Sequence, residues 1–303
     1  MAISRSQLVK ELEPGLNALF GLEYKRYENQ HAEIYTEESS DRAFEEEVML
    51  SGFANAQVKG EGSGVSFDEA QETFTARYTH ETVALAFAIT EEAIEDNLYD
   101  RLASRYTKAL ARSMSNAKQV KAVEPLIQGL PSTDGFDSGD GVSLFNTSHP
   151  TVAGTFQNTL TTQADLNETS LEQSLIDIGQ MTDERGLRVA ARGVKMIIPS
   201  ELQFTAERLM KSQGRTGTAD NDINAIVSMG MIPQGYRVNN YLTDTDAFYI
   251  LTDIPNGMKM FNRAPLTTAM EGDFDTGNVR YKARERYSFG VSDPRGIFGV
   301  EGA

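Results

Sequence analysis

The sequence predicts an α+β chain built around one long helix. Three observations carry this prediction. Apolar residues recur every three or four positions over about 30 residues after Thr90, which is the spacing of one helix face. A glycine-tipped hairpin pattern precedes this segment. After it, buried strands alternate with amphipathic helices. We therefore expect a hairpin-and-helix part followed by an α/β part.

The composition is that of a globular chain with a large acidic excess. The 303 residues contain 44 Asp and Glu against 28 Lys and Arg, which gives a formal net charge of -16. This charge argues against a protein that grips nucleic-acid grooves, but a surface that merely lines packaged nucleic acid would tolerate it. The absence of cysteine excludes disulfides, thiolate metal sites and cysteine nucleophiles. No apolar run is long enough for a signal peptide or a membrane span, so we expect a soluble chain.

The first 47 residues combine a helical pattern with an acidic run. Leucines at helical spacing begin this segment, but Pro14 and Gly15 interrupt the pattern, which predicts a short, broken helix. Residues 28–47 contain eight acids, among them Glu45, Glu46 and Glu47, and a single base. Such a charge run is usually solvated, so this part of the chain is expected to face water.

Residues 48–82 read as a protruding hairpin. Gly60, Gly62 and Gly64 mark a tip that also carries Lys59, and the flanking residues alternate as in half-buried strands. The glycines lack the helix and the Lys-Ser/Thr pair of a phosphate-binding loop. A mobile tip is therefore the favoured interpretation.

A strand and the long helix follow in residues 83–130. Val83, Leu85 and Phe87 alternate with alanines, which predicts a strand buried on both faces. Thr90 is a helix N-cap, and Pro125 is expected to stop the helix. The apolar stripe then covers about 33 residues, or roughly 50 Å, which is about the diameter of a compact chain of this length.

Residues 129–162 are rich in Gly, Ser, Thr, Asp and Asn and indicate a boundary or long loop, after which the pattern becomes α/β. A capping box of Thr169 and Glu172 predicts one helix, and Ser200 predicts the start of another. Strands are expected at residues 194–199, 236–238 and 247–252. A last β region begins at Met258.

The residues that could carry chemistry do not form a recognisable active site. His31, His80 and His149 are far apart in sequence and lack metal-ligand spacing. Asp134, Asp137 and Asp140 hint at calcium but lack the bidentate Glu of an EF-hand. A hydrolase using His149 with an acid from residues 134–140 is one alternative, although no Gly-x-Ser-x-Gly motif is present. We expect no enzyme and no cofactor.

Residues 279–291 predict a strand with a basic row along one face. Side chains alternate between the two faces of a strand, so Arg280, Lys282, Arg284 and Arg286 would share one face. The aromatic residues between them would point into an apolar environment. Such a row in an acidic chain needs an anionic partner, either in its own chain or in another copy.

These elements resemble, in their order, the major capsid proteins of tailed bacteriophages, which share the Hong Kong 97-type fold. The string GVSLFNTSHP at residues 141–150, followed by Asn158 and residues 169–175, resembles the Mu-like head-subunit branch. The resemblance to this branch extends to residues 194–206, 217–225 and 240–244. The resemblance implies an N-terminal arm (1–47), an extended loop (48–82), a peripheral domain with a spine helix (83–130), an axial domain (131–257) and C-terminal strands that return to the peripheral domain (258–303).

The implied function is a shell of hexamers and pentamers that encloses double-stranded DNA in the virion, after assembly in the bacterial cytoplasm. Its partners would be other copies of the chain, a portal protein, a separate scaffold or decoration protein, and DNA bound without specificity. Some relatives cross-link a loop lysine to an asparagine, a role for which Lys59 with Asn262 or Asn278 would be placed. The basic row could meet the acids at residues 37–47 of a neighbour. An encapsulin-like nanocompartment is the alternative within the same fold.

Overall fold

The computed structural model describes residues 5–90, 92, 99–214, 222–273 and 277–303. The chain contains both helices and largely antiparallel sheets, as the α+β prediction requires. Their order is α1 (Arg5–Arg26), β1 (Thr36–Ser39), β2 (Phe44–Leu50), β3 (Glu72–Thr79), β4 (Glu81–Ile89), α2 (Tyr99–Gln128), β5 (His149–Thr151), β6 (Gly154–Phe156), α3 (Glu168–Gln180), β7 (Gly193–Ile198), α4 (Gln203–Lys211), α5 (Ala225–Met229), β8 (Tyr236–Val238), β9 (Phe248–Thr252), β10 (Met258–Gly272), β11 (Val279–Val291) and β12 (Ile297–Val300).

The first sheet has the strand order β1-β10-β11-β4. β1 is parallel to β10, and the other pairs are antiparallel. The helices α1 and α2 cover one face of this sheet. Their apolar side chains form a core with those of β11, which includes Leu16, Phe20, Leu110, Met114, Tyr281 and Ala283.

The second sheet has the strand order β12-β9-β7-β8 and packs against α3, α4 and α5. A further core joins the two sheets. It takes Leu126 from α2, Tyr287 from β11, Tyr249 from β9 and Ile297 from β12. The C-terminal part of the long helix therefore lies between the two halves of the molecule.

The N-terminal helix is continuous, so the prediction of a short, broken helix is wrong. Pro14 lies inside α1, where it removes one backbone donor. Leu16 and Phe20, which follow it, are buried against α2 and β11. Tertiary packing of this face outweighs the local cost of the proline, as it does for most helices in proteins.

The acidic segment packs on its own subunit through its apolar residues, while its eight acids stay at the surface as predicted. Ile34 and Tyr35 are buried in the core that joins the sheets. The hydroxyl of Tyr35 donates to the carbonyl of Ala122 at 2.6 Å. β1 then adds to the first sheet beside β10. The few apolar residues among the acids therefore hold the segment on the subunit, and the acids face water.

The long helix runs past the proline expected to stop it. Pro125 lies inside α2, which ends at Gln128. Leu126, one residue later, is fully buried in the core that joins the sheets, and this packing holds the chain helical beyond Pro125. The start predicted at Thr90 adjoins residues 91 and 93–98, which lie outside the described residues.

β4 is an edge strand, and the prediction that it is buried on both faces is wrong. Val83 and Phe87 pack towards the helices. The alanines between them lie on the opposite face, which is exposed. Leu85 shares the face of Val83 and Phe87, yet 46 % of its surface is accessible. An even alternation of apolar and alanine residues also fits a strand covered on one face only.

Two smaller features depart from the sequence prediction. β10 and β11 join the first sheet, but β12 pairs with β9 in the second, so residues 297–300 do not return with the other C-terminal strands. α3 begins two residues earlier than expected. Its capping box is formed by Asn167 and Ser170 and not by Thr169 and Glu172, because Asn167 is itself a strong N-cap.

Candidate subunit-interaction surfaces

The hairpin of β2 and β3 is joined to the first sheet by a chain of hydrogen bonds. The hydroxyls of Tyr78 and Ser292 lie 2.5 Å apart, and Ser292 donates to Glu47. Lys259 contacts Glu47 at 2.5 Å and Glu38 at 3.2 Å. Burial opposes the charge on Lys259, yet the two carboxylates raise its pKa above the ordinary value. This network fixes the base of the hairpin.

A second anchor lies one residue beyond the hairpin, at His80. Its Nδ1 is 2.9 Å from Oγ of Ser288, and its Nε2 is 3.0 Å from Oγ of Ser40. Ser40 in turn donates to Glu45 at 2.6 Å. Burial, together with the nearby charge of Arg286, lowers the pKa of His80. The imidazole therefore serves as a neutral bridge between β1 and β11.

Close approaches between backbone and ring set the direction of the hairpin. A Cβ on Gly290 would lie 2.6 Å from the ring of Tyr78. A Cβ on Gly139 would lie 2.9 Å from the carbonyl oxygen of Thr75, and Gly139 has a φ of +93°. Glycine is needed at both positions because any side chain would push the hairpin away.

The end of the hairpin, residues 51–71, carries apolar side chains that nothing in the described chain covers. This segment contains no strand, and Gly62 turns it with a φ of +79°. Its exposed apolar residues are Phe53 at 62 %, Val58 at 100 %, Val65 at 67 % and Phe67 at 96 %. Lys59 is exposed among them. The segment has the character of a docking surface.

The basic row predicted on β11 is present. Arg280, Lys282 and Arg284 are exposed, while Tyr281, Ala283 and Glu285 between them are buried. Small residues flank the cations: Arg284 faces Ala84 and Thr267, and Lys282 faces Ala86 and Ala269. No described helix or loop covers this face, so the charged ends of the row are its outermost groups.

The ends of the row have partners in their own chain. Arg280 pairs with Asp273 at 2.6 Å. Arg286 points to the carbonyls of His80 at 3.4 Å and Ala43 at 3.5 Å. Lys282 and Arg284 reach no carboxylate in the part of the chain that the structure describes.

Five of the acids expected to meet this row in a neighbour also contact groups of their own chain. Glu45 pairs with Arg42 at 3.9 Å, and Glu46 pairs with Arg77 at 3.7 Å. Glu47 contacts Lys259, as described above. Glu37 and Glu38 likewise contact His31 and Lys259. These carboxylates stay partly exposed, and exposed ion pairs contribute little, so the contact between the row and the acids of a neighbour stays a prediction.

His149 is buried in a polar joint and does not line a site. Its Nδ1 is 2.6 Å from Asp140 Oδ2, and its Nε2 is 2.9 Å from Asn158 Oδ1. The amide nitrogen of Asn158 donates to the carbonyls of Leu144 and Pro294. The His149 ring has no exposed surface. A hydrolase would need an imidazole that reaches substrate, and this one instead ties residues 137–149 to the C-terminal segment.

Two of the three aspartates that suggested calcium, Asp137 and Asp140, are used within their loop. Asp137 accepts from the backbone nitrogens of Gly139 at 2.7 Å and Gly141 at 3.2 Å. Burial of Asp140 opposes its ionisation, but hydrogen bonds from His149 and Ser138 hold its pKa below the ordinary value of 3.8. These carboxylates shape the loop.

Two buried ionic clusters were not predicted from the sequence. Arg295 contacts Glu184 at 2.5 Å and Asp293 at 3.2 Å. Glu285, which the alternation on β11 places inward, lies 3.6 Å from Lys118 of α2, and burial raises its pKa. The alternation on β11 could have indicated that Glu285 points inward, but no sequence pattern indicated the other residues.

A sequence profile described as phage capsid protein matches residues 72–300. No curated protein sequence matches the chain. None of the helices within the described ranges is both long and apolar enough to cross a membrane.

Solved particle structures share the fold at low sequence identity. The capsid of an empty GTA particle is 13 % identical, with a TM-score of 0.57, covering 90 % of this chain and 89 % of that one. The capsid of Myoviridae phage XM1 is 12 % identical, with a TM-score of 0.53 and 89 % coverage of both chains. A virus-like particle from Pyrococcus furiosus is 12 % identical, with a TM-score of 0.51, covering 94 % and 98 %.

The structural matches confirm the predicted fold class, whereas the Mu-like branch stays a prediction. The profile covers far more than half of the sequence, including the hairpin strand β3, the long helix and both sheets. The chain therefore belongs to the phage capsid protein family and has the Hong Kong 97-type fold.

Proposed function

We propose that this chain is the major capsid protein of a tailed bacteriophage, and that it assembles as hexamers and pentamers into an icosahedral shell around double-stranded DNA. The match to the phage capsid family over residues 72–300 carries this proposal. The anchored hairpin supports it, because a subunit that never met another copy would leave its apolar end in water.

The loop at residues 51–71 is the first proposed contact between subunits. Its exposed Phe53, Val58, Val65 and Phe67 would be buried by an adjacent subunit. Each such contact is modest, but every subunit both gives and receives one, so many weak contacts add up to a rigid shell. Lys59 lies in the same loop and would contact the neighbouring subunit. A cross-link would join its side chain to Asn262 or Asn278 of that subunit.

The middle of the basic row is the second proposed contact. Lys282 and Arg284 are exposed without a carboxylate partner among the described residues, and the alanines beside them leave the face open. An acidic segment of another copy fits this face. Glu61 and Glu69 in the 51–71 loop are exposed acids that, unlike Glu45, Glu46 and Glu47, have no cation within their own chain as described.

The remaining partners follow from the same proposal. The shell would hold a portal protein and use a separate scaffold or decoration protein. A chain with a net charge of -16 would contact the packaged DNA without gripping it. The protein would be assembled in the host cytoplasm and would end in the virion.

Negative-stain microscopy of the purified chain tests the proposal. We expect closed particles of uniform size, because the exposed loop and basic face find partners only in other copies. Val58→Ser with Phe67→Ser should abolish particles while leaving the far-UV circular dichroism of the subunit unchanged. Val152→Ser in the turn between β5 and β6, where Val152 is 46 % exposed, is the control.

A monodisperse wild-type monomer would contradict both the capsid and the nanocompartment interpretations. The particle contents separate these two. Nucleic acid co-purifying with particles from infected or induced host cells supports the capsid, whereas a single co-purifying enzyme would favour the nanocompartment.

A further inference from the structure

Among the described strands, β4 has a long, unpaired outer edge that carries no charged residue after its first position. β4 pairs with β11 on one side only, over Glu81–Ile89. At about 3.4 Å per residue, this edge is about 30 Å long. Its one charged residue, Glu81, stands at the first position and contacts Lys121. Proteins usually protect such edges because they recruit other strands.

The other strand edges in the described chain are protected or short. β1 has four residues and carries Glu37 and Glu38. β2 carries three consecutive glutamates, and β3 carries Glu72 and Arg77. β8 has three residues, and β12 is buried. β4 therefore stands apart among these edges.

We infer that the free edge of β4 pairs with β4 of a second copy, antiparallel and centred on Leu85. An uncharged strand edge is best complemented by another uncharged edge, and within the described residues β4 itself is the long one available. Two identical edges related by a two-fold axis meet antiparallel. The inference rests on the proposed function only in requiring that copies of the chain meet.

In this register, the side chains of β4 would lie opposite compatible side chains of the second copy. Leu85 would face Leu85 of the second copy, which buries a side chain now 46 % exposed. Val83 would face the second copy's Phe87, so the apolar row above the helices becomes continuous. Glu81 would face an isoleucine, and no like charges would be opposed.

The basic rows of the two copies do not oppose this pairing. Each β11 would be one strand away from the seam, so the two rows would be separated by three strand spacings of about 4.8 Å, or roughly 14 Å. This distance exceeds the Debye length of about 8 Å at physiological ionic strength. The result would be an eight-stranded sheet with one open face.

The absence of native cysteine makes the seam directly testable. Directly opposed residues in antiparallel strands have Cα atoms about 4.5–5.5 Å apart, which suits a disulfide. Leu85→Cys in the purified assembled protein, treated with copper–phenanthroline, should shift the chain from monomer to dimer on a non-reducing gel, and reductant should reverse the shift. Val152→Cys, with the same exposed fraction, should stay monomeric.

A second pair of variants guards against misfolding at Leu85. Ala84 and Ala86 are exposed and tolerate a small side chain, and the centred register places Ala84 opposite the second copy's Ala86. Co-assembled Ala84→Cys and Ala86→Cys chains should form a mixed dimer, whereas Ala84→Cys alone should not. Particles that form with Leu85→Cys and the alanine pair all monomeric would overturn the seam and leave the proposed shell standing. Wild-type protein that forms no particles would instead contradict the shell.

Discussion

At the scale of single residues, the polar joints show how an acidic chain holds its two halves together. Asp140 and His149 meet at 2.6 Å with almost no exposed surface, and Asn158 links them to the C-terminal segment. Arg295 makes the equivalent link to Glu184 at 2.5 Å. A catalytic interpretation of His149 was reasonable from a histidine near several aspartates, but burial on both sides of the ring defines a structural role.

Asp140 gives the joint a predictable dependence on pH. The folded-state pKa of Asp140 lies below the ordinary value of 3.8. Its ionised form therefore stabilises the fold fully above about pH 4, and this stabilisation is lost as the pH falls through the folded pKa. Asp140→Asn should lower the free energy of unfolding at pH 7 by about 1–3 kcal/mol. Urea unfolding followed by circular dichroism measures the change.

The comparison that isolates Asp140 is the slope of stability against pH. Below pH 4 the Asp140→Asn variant should lose stability less steeply than the wild type. Asp222→Asn, at an exposed position, should follow the wild type throughout. Equal acid slopes for the wild type and Asp140→Asn would mean that the carboxylate is not held by this joint.

At the scale of elements, β11 is the strand whose sequence pattern best predicted a surface for contact between subunits. Its predicted bounds, residues 279–291, agree with the observed strand. The alternation was readable because a strand at the centre of a sheet, covered on one face only, imposes a strict period of two. Val83–Ile89 of β4 has the same alternation, yet its outer edge is open, which local sequence cannot reveal.

The two helix errors have a common physical cause. Pro14 and Pro125 each remove one hydrogen bond, and from sequence alone both predict a break. In each case the residues that follow are deeply buried, Phe20 at 2 % and Leu126 at 0 %, and this burial keeps the chain helical. The outcome depends on long-range packing, which a local pattern does not contain.

Charge reversal on β11 tests the row as a subunit contact. Lys282→Glu with Arg284→Glu should impair particle formation and leave the subunit folded, because both side chains are exposed and neither has a carboxylate partner among the described residues. Arg286 is left unchanged since it contacts the base of the hairpin. Sedimentation velocity measures the assembled fraction.

The control for this reversal carries the same change of charge elsewhere. Arg192→Glu with Arg208→Glu alters two exposed cations of the second half. It should assemble like the wild type if the position of the charges matters. Normal particles from Lys282→Glu with Arg284→Glu would leave the row as a solvated face, consistent with the small contribution of most exposed ion pairs.

At the scale of the whole molecule, the structure separates what one subunit completes from what it leaves open. The N-terminal segment packs Ile34 and Tyr35 into the core of its own subunit, and its course across neighbouring subunits stays a prediction. Glu45, Glu46 and Glu47, which follow this segment, contact cations of the same chain. What stays open is the 51–71 loop, the middle of the basic row and the edge of β4. The sequence indicated the first two through glycine spacing and charge alternation, but the third required the sheet order.

A cryo-electron microscopy reconstruction of the assembled particle tests the central claim most directly. The reconstruction shows whether the side chains of Val58 and Phe67 contact another subunit. In a single subunit they are 100 % and 96 % exposed. The account predicts an icosahedral shell in which these side chains are buried against an adjacent subunit. A shell with both side chains in solvent, or a chain that forms no shell, would contradict it.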